Sequence, residues 1–171
     1  MQDEKKSAGV DPKTLAGGKI LRYLVEQFNN ERSQRHLMAV LGCLRDSFIW
    51  IPGTMMFIEA DAEKVKNLKE DETFSFSKRP EFVPDILRNG DDLFFPVFSN
   101  TEQMGEYGKH FSKVEEHFFV AMREAMKQED VCGIVLDAFT TPFVIPKDFF
   151  EIIEKLSSML KNSNDGEKPQ Q

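Results

Sequence analysis

The run LFFPVF at residues 93–98 constrains the fold more than any other stretch of this chain. Five apolar side chains surround a proline with no polar residue among them, which indicates a strand that is buried on both faces. Because Pro96 has no backbone N–H, its position must face away from a neighbouring strand or lie at an edge or a bulge. A strand of this kind predicts a sheet that is covered by helices.

The residues before this run predict a pair of helices. A first helix from about Lys19 and a second one that ends near Asp46 each carry apolar side chains at helical spacing. These side chains are Ile20, Leu24 and Phe28 in the first helix, and Leu37, Leu41 and Leu44 in the second. The N-terminal part of the domain is therefore predicted to be a helical pair.

The middle of the chain carries strand and turn signals. The stretch SFIWIPGTMMFIEA predicts a strand that ends near Ile51, a turn at Pro52-Gly53 and a second strand from about Met55 to Glu59. The next stretch, DAEKVKNLKED, predicts a short helix capped by Asp61, and ETFSFSK predicts a strand with one solvated face. The dipeptide Asn89-Gly90 predicts a hairpin between strands that include residues 86–88 and 93–98.

The C-terminal third completes the predicted architecture. EEHFFVAMREAMKQED predicts an amphipathic helix, VCGIVLDAF and FVIP predict two strands, and PKDFFEIIEKLSSMLK predicts a final helix. The fold class is therefore predicted as α/β (α+β), with a single central mixed β-sheet flanked by helices. Residues 1–10 are predicted as a flexible N-terminus, 11–161 as one domain and 162–171 as a disordered tail.

The corner after the apolar run is the first candidate for a binding site. Ser99 to Glu102 has the S-x-x-E spacing of a capping box, in which two side chains satisfy free amides at the start of a helix. Helix N-termini also hold anions, but no glycine-rich phosphate loop is present here. The candidate contact residues at this corner are Ser99, Asn100, Thr101 and Glu102, and Asp137 joins them if the two strands that precede them pair.

Charge and composition exclude several classes of function. The formal net charge of -7 opposes binding to nucleic acid or to anionic lipid. No apolar run reaches the ~20 residues that a membrane span needs, and the N-terminal stretch does not resemble a signal peptide. Cys43 and Cys132 both lie in apolar segments, where they are expected to be buried and reduced. We therefore expect a cytoplasmic protein that binds neither nucleic acid nor membrane.

The ionisable residues do not form a recognisable catalytic pattern. His110 and His117 flank FSKVEE, and with Glu115 they offer metal-binding chemistry, but their spacing matches no standard site. No nucleophile elbow, Walker loop or dinucleotide fingerprint is present. The sequence therefore predicts no enzyme activity, no metal and no cofactor.

Several of these stretches together resemble one family. FFPVFSNTEQM, an amphipathic helix and then VCGIVLDAFTTPFVIPKDFFEII follow one another as in the enhanced serine sensitivity (SseB) protein family. The resemblance covers roughly Arg32 to Leu156 and is strongest from Leu93 to Phe150, although Asp137-Ala138 stands where Asn-Pro is common in the family. It implies a mixed α/β domain and no catalytic residue or cofactor.

Two functions remain open at this point. The first is a non-enzymatic interaction or regulatory module that binds a protein partner or associates with itself. The second is a small-molecule sensor or enzyme with a pocket at the C-terminal ends of the strands. The second function requires at least two of His110, Glu115, His117 and Asp137 to meet in one cleft.

Overall fold

The computed structural model describes residues 10–73 and 75–160. The α-helices are α1 (Lys19–Asn30), α2 (Gln34–Asp46), α3 (Glu59–Lys66), α4 (Phe118–Lys127) and α5 (Phe150–Lys155). The strands are β1 (Phe48–Met56), β2 (Glu81–Pro84), β3 (Leu87–Asn89), β4 (Asp92–Val97), β5 (Ser112–His117), β6 (Val131–Leu136) and β7 (Phe143–Pro146). Short 3-10 segments span Pro12–Gly18, Thr101–His110 and Lys147–Phe149.

The strands form two sheets, so the predicted single central sheet is wrong. One sheet is antiparallel with the order β2-β1-β5, and the other is mixed with the order β3-β4-β6-β7. Within the mixed sheet, β4 and β6 are parallel, whereas β3 and β7 pair with them in the antiparallel sense. The mixed α+β class and the N-terminal helical pair are confirmed, since α1 contacts α2.

Two prolines explain why the sheets separate. Trp50 of β1 and Phe98 exchange both backbone hydrogen bonds, at 2.8 and 2.9 Å, in an isolated antiparallel bridge between the sheets. Continuing this register by two residues along each strand would place Pro52 opposite Pro96. Because neither proline has an N–H, that next pair of hydrogen bonds cannot form. The carbonyl of Pro52 accepts instead from the amide of Asp85 at 2.9 Å.

One hydrophobic core nevertheless joins the helices to both sheets. Phe95 and Val97 of β4 are fully buried, as the apolar run predicts. They belong to the same cluster as side chains from the helical pair, from β1, from α4 and from β6 and β7. The largest fully buried ones are Leu21, Leu41, Leu44, Ile49, Phe118, Met122, Ile134, Leu136 and Ile145. The corner after β4 is therefore anchored on a rigid interior.

The segment between the helical pair and the hairpin differs from its prediction. Strand β1 passes through Pro52 and Gly53 without a turn, because Gly53 lets the backbone of Val83 in β2 approach closely. Residues 72–73 and 75–78 form no strand. Asp61 is not the cap of α3; its buried carboxylate accepts from the amides of Ser77 and Lys78 and so fixes this segment.

The predicted hairpin is confirmed, with its turn shifted by one residue. Asn89 lies opposite Asp92, so Gly90 and Asp91 form the two-residue loop. Gly90 has a φ of 65°, a left-handed conformation that glycine adopts at little cost. Strand β5 was not predicted, because its polar sequence SKVEEH gives no apolar alternation.

The last helix is shorter than its apolar spacing predicts. It ends at Lys155, after which Arg45 donates to the carbonyl of Leu156 and Asp46 accepts from the amide of Met159 at 2.8 Å. These contacts hold residues 156–160 in an extended path, where Leu160 pairs with Val10. Apart from Val10, the predicted flexible segments at 1–10 and 162–171 lie outside the described residues.

Candidate functional site

Two neighbouring parallel strands place Ser99 against Asp137. Ser99 follows β4 and Asp137 follows β6, and the paired C-terminal ends bring the two residues together. The amide of Ser99 donates to Oδ1 of Asp137 at 2.8 Å, and its hydroxyl donates to Oδ2 at 2.7 Å. Ser99 is 2% exposed and Asp137 is 1% exposed. The predicted proximity is confirmed, but both side chains are interior groups that no partner can reach.

The helical pair contributes a third member to this cluster. Nη1 of Arg22 in α1 donates to Ser99 Oγ at 3.0 Å and to the carbonyl of Gly17 at 2.8 Å. A Cβ at Gly18, which has a φ of 68°, would lie 2.5 Å from the Cβ of Ser99. A residue with a side chain at Gly18 would therefore push the start of α1 away from the corner.

Asp137 combines burial with an unusual backbone conformation. Its φ of 48° is the one positive value among the described residues other than glycine, and Asp tolerates this region better than most residues do. Burial raises the pKa of Asp137, while the hydrogen bonds from Ser99 and the charge of Arg22 oppose that shift. The backbone of Asp137 is also held, since its amide donates to Val97 and its carbonyl accepts from Thr140.

The capping box predicted at Ser99 is wrong. Asn100 is the residue that caps the following 3-10 segment, and its Oδ1 accepts from the amide of Gln103 at 3.1 Å. The hydroxyl of Ser99 is taken by Asp137, a partner 38 residues away that offers a charged acceptor. Thr101 and Glu102 are exposed. Of the five candidate contact residues, Thr101 and Glu102 are therefore the most accessible.

An aromatic cluster beside this corner was missed by sequence reasoning. The ring of Phe139 lies 5.9 Å from that of Phe98 in a stacked geometry and 4.9 Å from that of Tyr107. Tyr107 contacts Phe111 at 4.7 Å, and its hydroxyl donates to Asp85, which together with burial raises the pKa of Tyr107. Phe139 is nevertheless 51% exposed. The only signal in the sequence was an aromatic residue within a polar connection, DAFTT.

The four residues proposed for a polar pocket do not form one. Asp137 is buried against Ser99, and Nδ1 of His117 accepts from the amide of Phe119 at the start of α4. Burial lowers the pKa of His117, an effect that Asp46 opposes and Arg45 reinforces. His110 is exposed at the end of its 3-10 segment. Glu115 alone of the four lines a cavity of about 270 Å³ that adjoins Ser99.

The two cysteines behave differently. Cys43 is buried in α2 as predicted, and burial raises the pKa of its thiol. Cys132 is exposed on β6, which corrects the prediction that it is buried. Its Sγ lies 3.7 Å from Oδ1 of Asp92.

Searches against family models, curated proteins and solved structures found no match to this chain. The resemblance to the SseB family therefore remains a prediction that depends on the quoted residues alone. Across the described ranges, no group of three or more His, Cys, Asp or Glu side chains is placed to hold a metal ion. None of the helices in those ranges is both long and apolar enough to cross a lipid bilayer.

Proposed function

We propose that this protein is a non-enzymatic interaction module that binds a protein partner through the corner beside β4 and β6. We call the exposed residues Thr101, Glu102, Phe139 and Thr140 the corner surface. The observation that carries the proposal is Phe139, a half-exposed ring that is supported from below by Phe98 and Tyr107. Large aromatic side chains of this kind dominate the binding energy of protein interfaces.

The backbone beneath Phe139 is already fixed in the free protein. The amide of Asp137 donates to Val97 at 3.0 Å, and the amide of Thr140 donates to Asp137 at 3.1 Å. Thr140 Oγ1 also donates to Oε1 of Gln103 at 2.7 Å, which ties the connection to the neighbouring 3-10 segment. A partner would therefore order little of this surface on binding, so the ordering cost of association is small here.

The surroundings of the ring indicate the chemistry of the partner. Glu102 and Glu106 lie on the adjacent 3-10 segment, and the net charge of the chain is -7. The partner that fits is a protein with an apolar socket bordered by Lys or Arg, and nucleic acid is disfavoured. We place this interaction in the cytoplasm, which is consistent with the free thiols of Cys43 and Cys132.

A comparison of three baits tests the proposal. The full chain, Phe139→Ser and Tyr23→Ser are immobilised and exposed to extract of the native cell. Tyr23 is the matched control, because this aromatic residue of α1 is 58% exposed. We expect a protein that the wild type and Tyr23→Ser retain and that Phe139→Ser loses, with the affinity of the purified pair falling at least about tenfold.

Self-association is measured in parallel by sedimentation of the same three proteins. A concentration-dependent dimer that Phe139→Ser abolishes would identify a second copy of the chain as the partner. If every retained protein binds Phe139→Ser as well as the wild type, and sedimentation of the two is identical, the proposal is wrong.

A second candidate function is the sensing of a small organic cation. The cavity of about 270 Å³ beside Ser99 is lined by the aromatic residues Phe48 and Trp50, by the acidic residues Asp46 and Glu115 and by Lys13. Aromatic faces combined with carboxylates favour ammonium groups. Trp50 is the only tryptophan of the chain, so its fluorescence reports on this cavity. Choline is expected to change that fluorescence in the wild type and in Glu116→Gln but not in Glu115→Gln, and an unchanged signal in all three rejects this candidate.

A further inference from the structure

A second cavity lies between the two N-terminal helices, away from the corner surface. Its volume is about 290 Å³, and its walls come from α1, from α2 and from the residues that flank the Val10–Leu160 bridge. The lining side chains are almost entirely apolar: Val10, Leu15, Ile20, Leu24, Met38, Ala39, Cys43 and Met159, together with Gly42 and Asp46. The cavity is open to solvent, since Met159 is 62% exposed and Ala39 is also exposed, so a molecule from solution can reach its apolar walls.

The polar groups of this cavity are already satisfied by the protein. Asp46 accepts from Nη1 of Arg45 at 2.8 Å, from the hydroxyl of Ser158 at 2.7 Å and from the amide of Met159 at 2.8 Å. Cys43 is buried, and burial raises the pKa of its thiol, which keeps it uncharged. No wall group is left that requires a charged or strongly hydrogen-bonding occupant, and the carboxylate of Asp46 disfavours an anion.

The absence of a side chain at Gly42 contributes to the open space of this cavity. Gly42 lies within α2, where glycine is among the least favourable residues. Close packing does not require glycine here, because a Cβ added at Gly42 would meet nothing within 4 Å. What the missing side chain provides is room in the cavity that Gly42 lines.

The segments 1–9 and 161–171 carry few apolar side chains that could fill this cavity. Val10 and Met159 line the cavity, so residues 1–9 and 161–171 continue from its border. Those two segments contain Met1 and Ala8 as their only hydrophobic residues, against eight Lys, Asp and Glu in the sequences MQDEKKSAG and KNSNDGEKPQQ. Burial of charged residues in an apolar space is unfavourable. An occupant from solution therefore fits the cavity better than either end of the chain does.

We propose that this cavity is a binding site for a neutral apolar small molecule of about ten carbon atoms. The size follows from comparison with an apolar cavity of about 150 Å³ that holds one benzene ring. The cavity of about 290 Å³ has roughly twice that capacity. The ligand is either a medium-length alkyl chain or a bicyclic ring system, since both present the same apolar surface, and the site is independent of the corner surface.

Binding is tested with naphthalene, whose own fluorescence changes on transfer from water to an apolar site, and with 1-decanol as its competitor. We expect saturable binding of naphthalene to the full chain and displacement of the bound naphthalene by 1-decanol. The decanoate anion is expected to bind at least tenfold more weakly than 1-decanol. Gly42→Phe is designed to fill the cavity and to weaken binding at least tenfold. Gln34→Phe is the matched control, because Gln34 is an exposed residue of the same helix that does not line the cavity. Its affinity is expected to stay within about threefold of the wild type.

Circular dichroism confirms that each variant is folded before binding is measured. If Gly42→Phe does not fold, Ala39→Leu serves as the filling variant, because Ala39 lines the same cavity from the same helix. Stronger binding of naphthalene than of 1-decanol identifies a ring system, and the opposite order identifies an alkyl chain. The proposal is overturned if neither compound binds the wild type, or if the filling variant binds both as tightly as Gln34→Phe.

Discussion

Removal of the hydroxyl of Ser99 tests the buried cluster at the corner. Ser99→Ala deletes the donor that lies 2.7 Å from Oδ2 of Asp137 and the acceptor that lies 3.0 Å from Nη1 of Arg22. In the variant, the partly exposed guanidinium of Arg22 can bind water instead, whereas the buried carboxylate oxygen of Asp137 loses its hydrogen-bond partner. A hydrogen bond to a charged group contributes ~1.5–3 kcal/mol, and we expect the free energy of unfolding to fall by about 2–3 kcal/mol.

The loss is measured by urea unfolding that is followed by circular dichroism. The urea midpoint is expected to fall. The slope of the free energy of unfolding against urea concentration stays constant, because the extent of surface exposed on unfolding does not change. The melting temperature is expected to fall by roughly 4–12 °C, at ~2–4 °C per kcal/mol for a domain of this size.

Thr140→Ala is the control for this experiment, since it deletes an exposed hydroxyl that donates to Gln103 at the same corner. Its cost is expected to stay within ~0.5 kcal/mol. Equal losses for Ser99→Ala and Thr140→Ala would refute the view that burial of the Asp137 carboxylate makes the Ser99 hydroxyl important.

Two further predictions concern the glycine contacts and the cap of α4. Gly133→Ala is expected to lower the free energy of unfolding by about 1–3 kcal/mol, because its Cβ would lie 2.3 Å from the carbonyl oxygen of Ile145. Gly42→Ala has open space around its Cβ and is expected to stabilise the protein by ~0.5–1 kcal/mol. Urea midpoints of the two variants that move in the same direction would contradict this. Protonation of His117 removes the acceptor for the Phe119 amide, and since the pKa of His117 is lowered from 6.5 in the folded protein, stability is expected to fall as the pH drops below about 6.5. His117→Asn keeps a capping oxygen and should flatten that dependence over pH 5–7, whereas a pH profile of His117→Asn that matches the wild type would show that another group is responsible.

The sequence predicted best those elements whose signals are local. Helices α1, α2 and α4 follow from apolar side chains at four-residue spacing, and the hairpin follows from a glycine that adopts a left-handed conformation. The interior character of β4 follows from five apolar residues in one run. In each of these cases the residues that carry the signal are the residues that make the contacts.

Prediction failed where a distant partner outcompeted a local one. The S-x-x-E spacing at Ser99 favours a capping box, but the carboxylate of Asp137 offers a stronger acceptor that only the pairing of β4 with β6 brings near. The last helix ends early for the same reason, because Arg45 and Asp46 bind the backbone and side chains after Lys155. A charged group in another element cannot be recognised from the spacing of the residues that it binds.

The position of the corner depends on how the segments around Pro52 and Pro96 pack together, and the sequence shows each segment only by itself. Pro52 and Pro96 each indicate a break in a strand, but together they stop the pairing of β1 with β4 beyond the bridge of Trp50 and Phe98. Phe98 then has two roles, since its backbone joins the two sheets and its ring supports Phe139. The position of Phe139 is therefore set by both sheets at once. That dependence explains how an exposed aromatic residue in a connection is held in place by its neighbours, as its proposed role as a binding anchor requires.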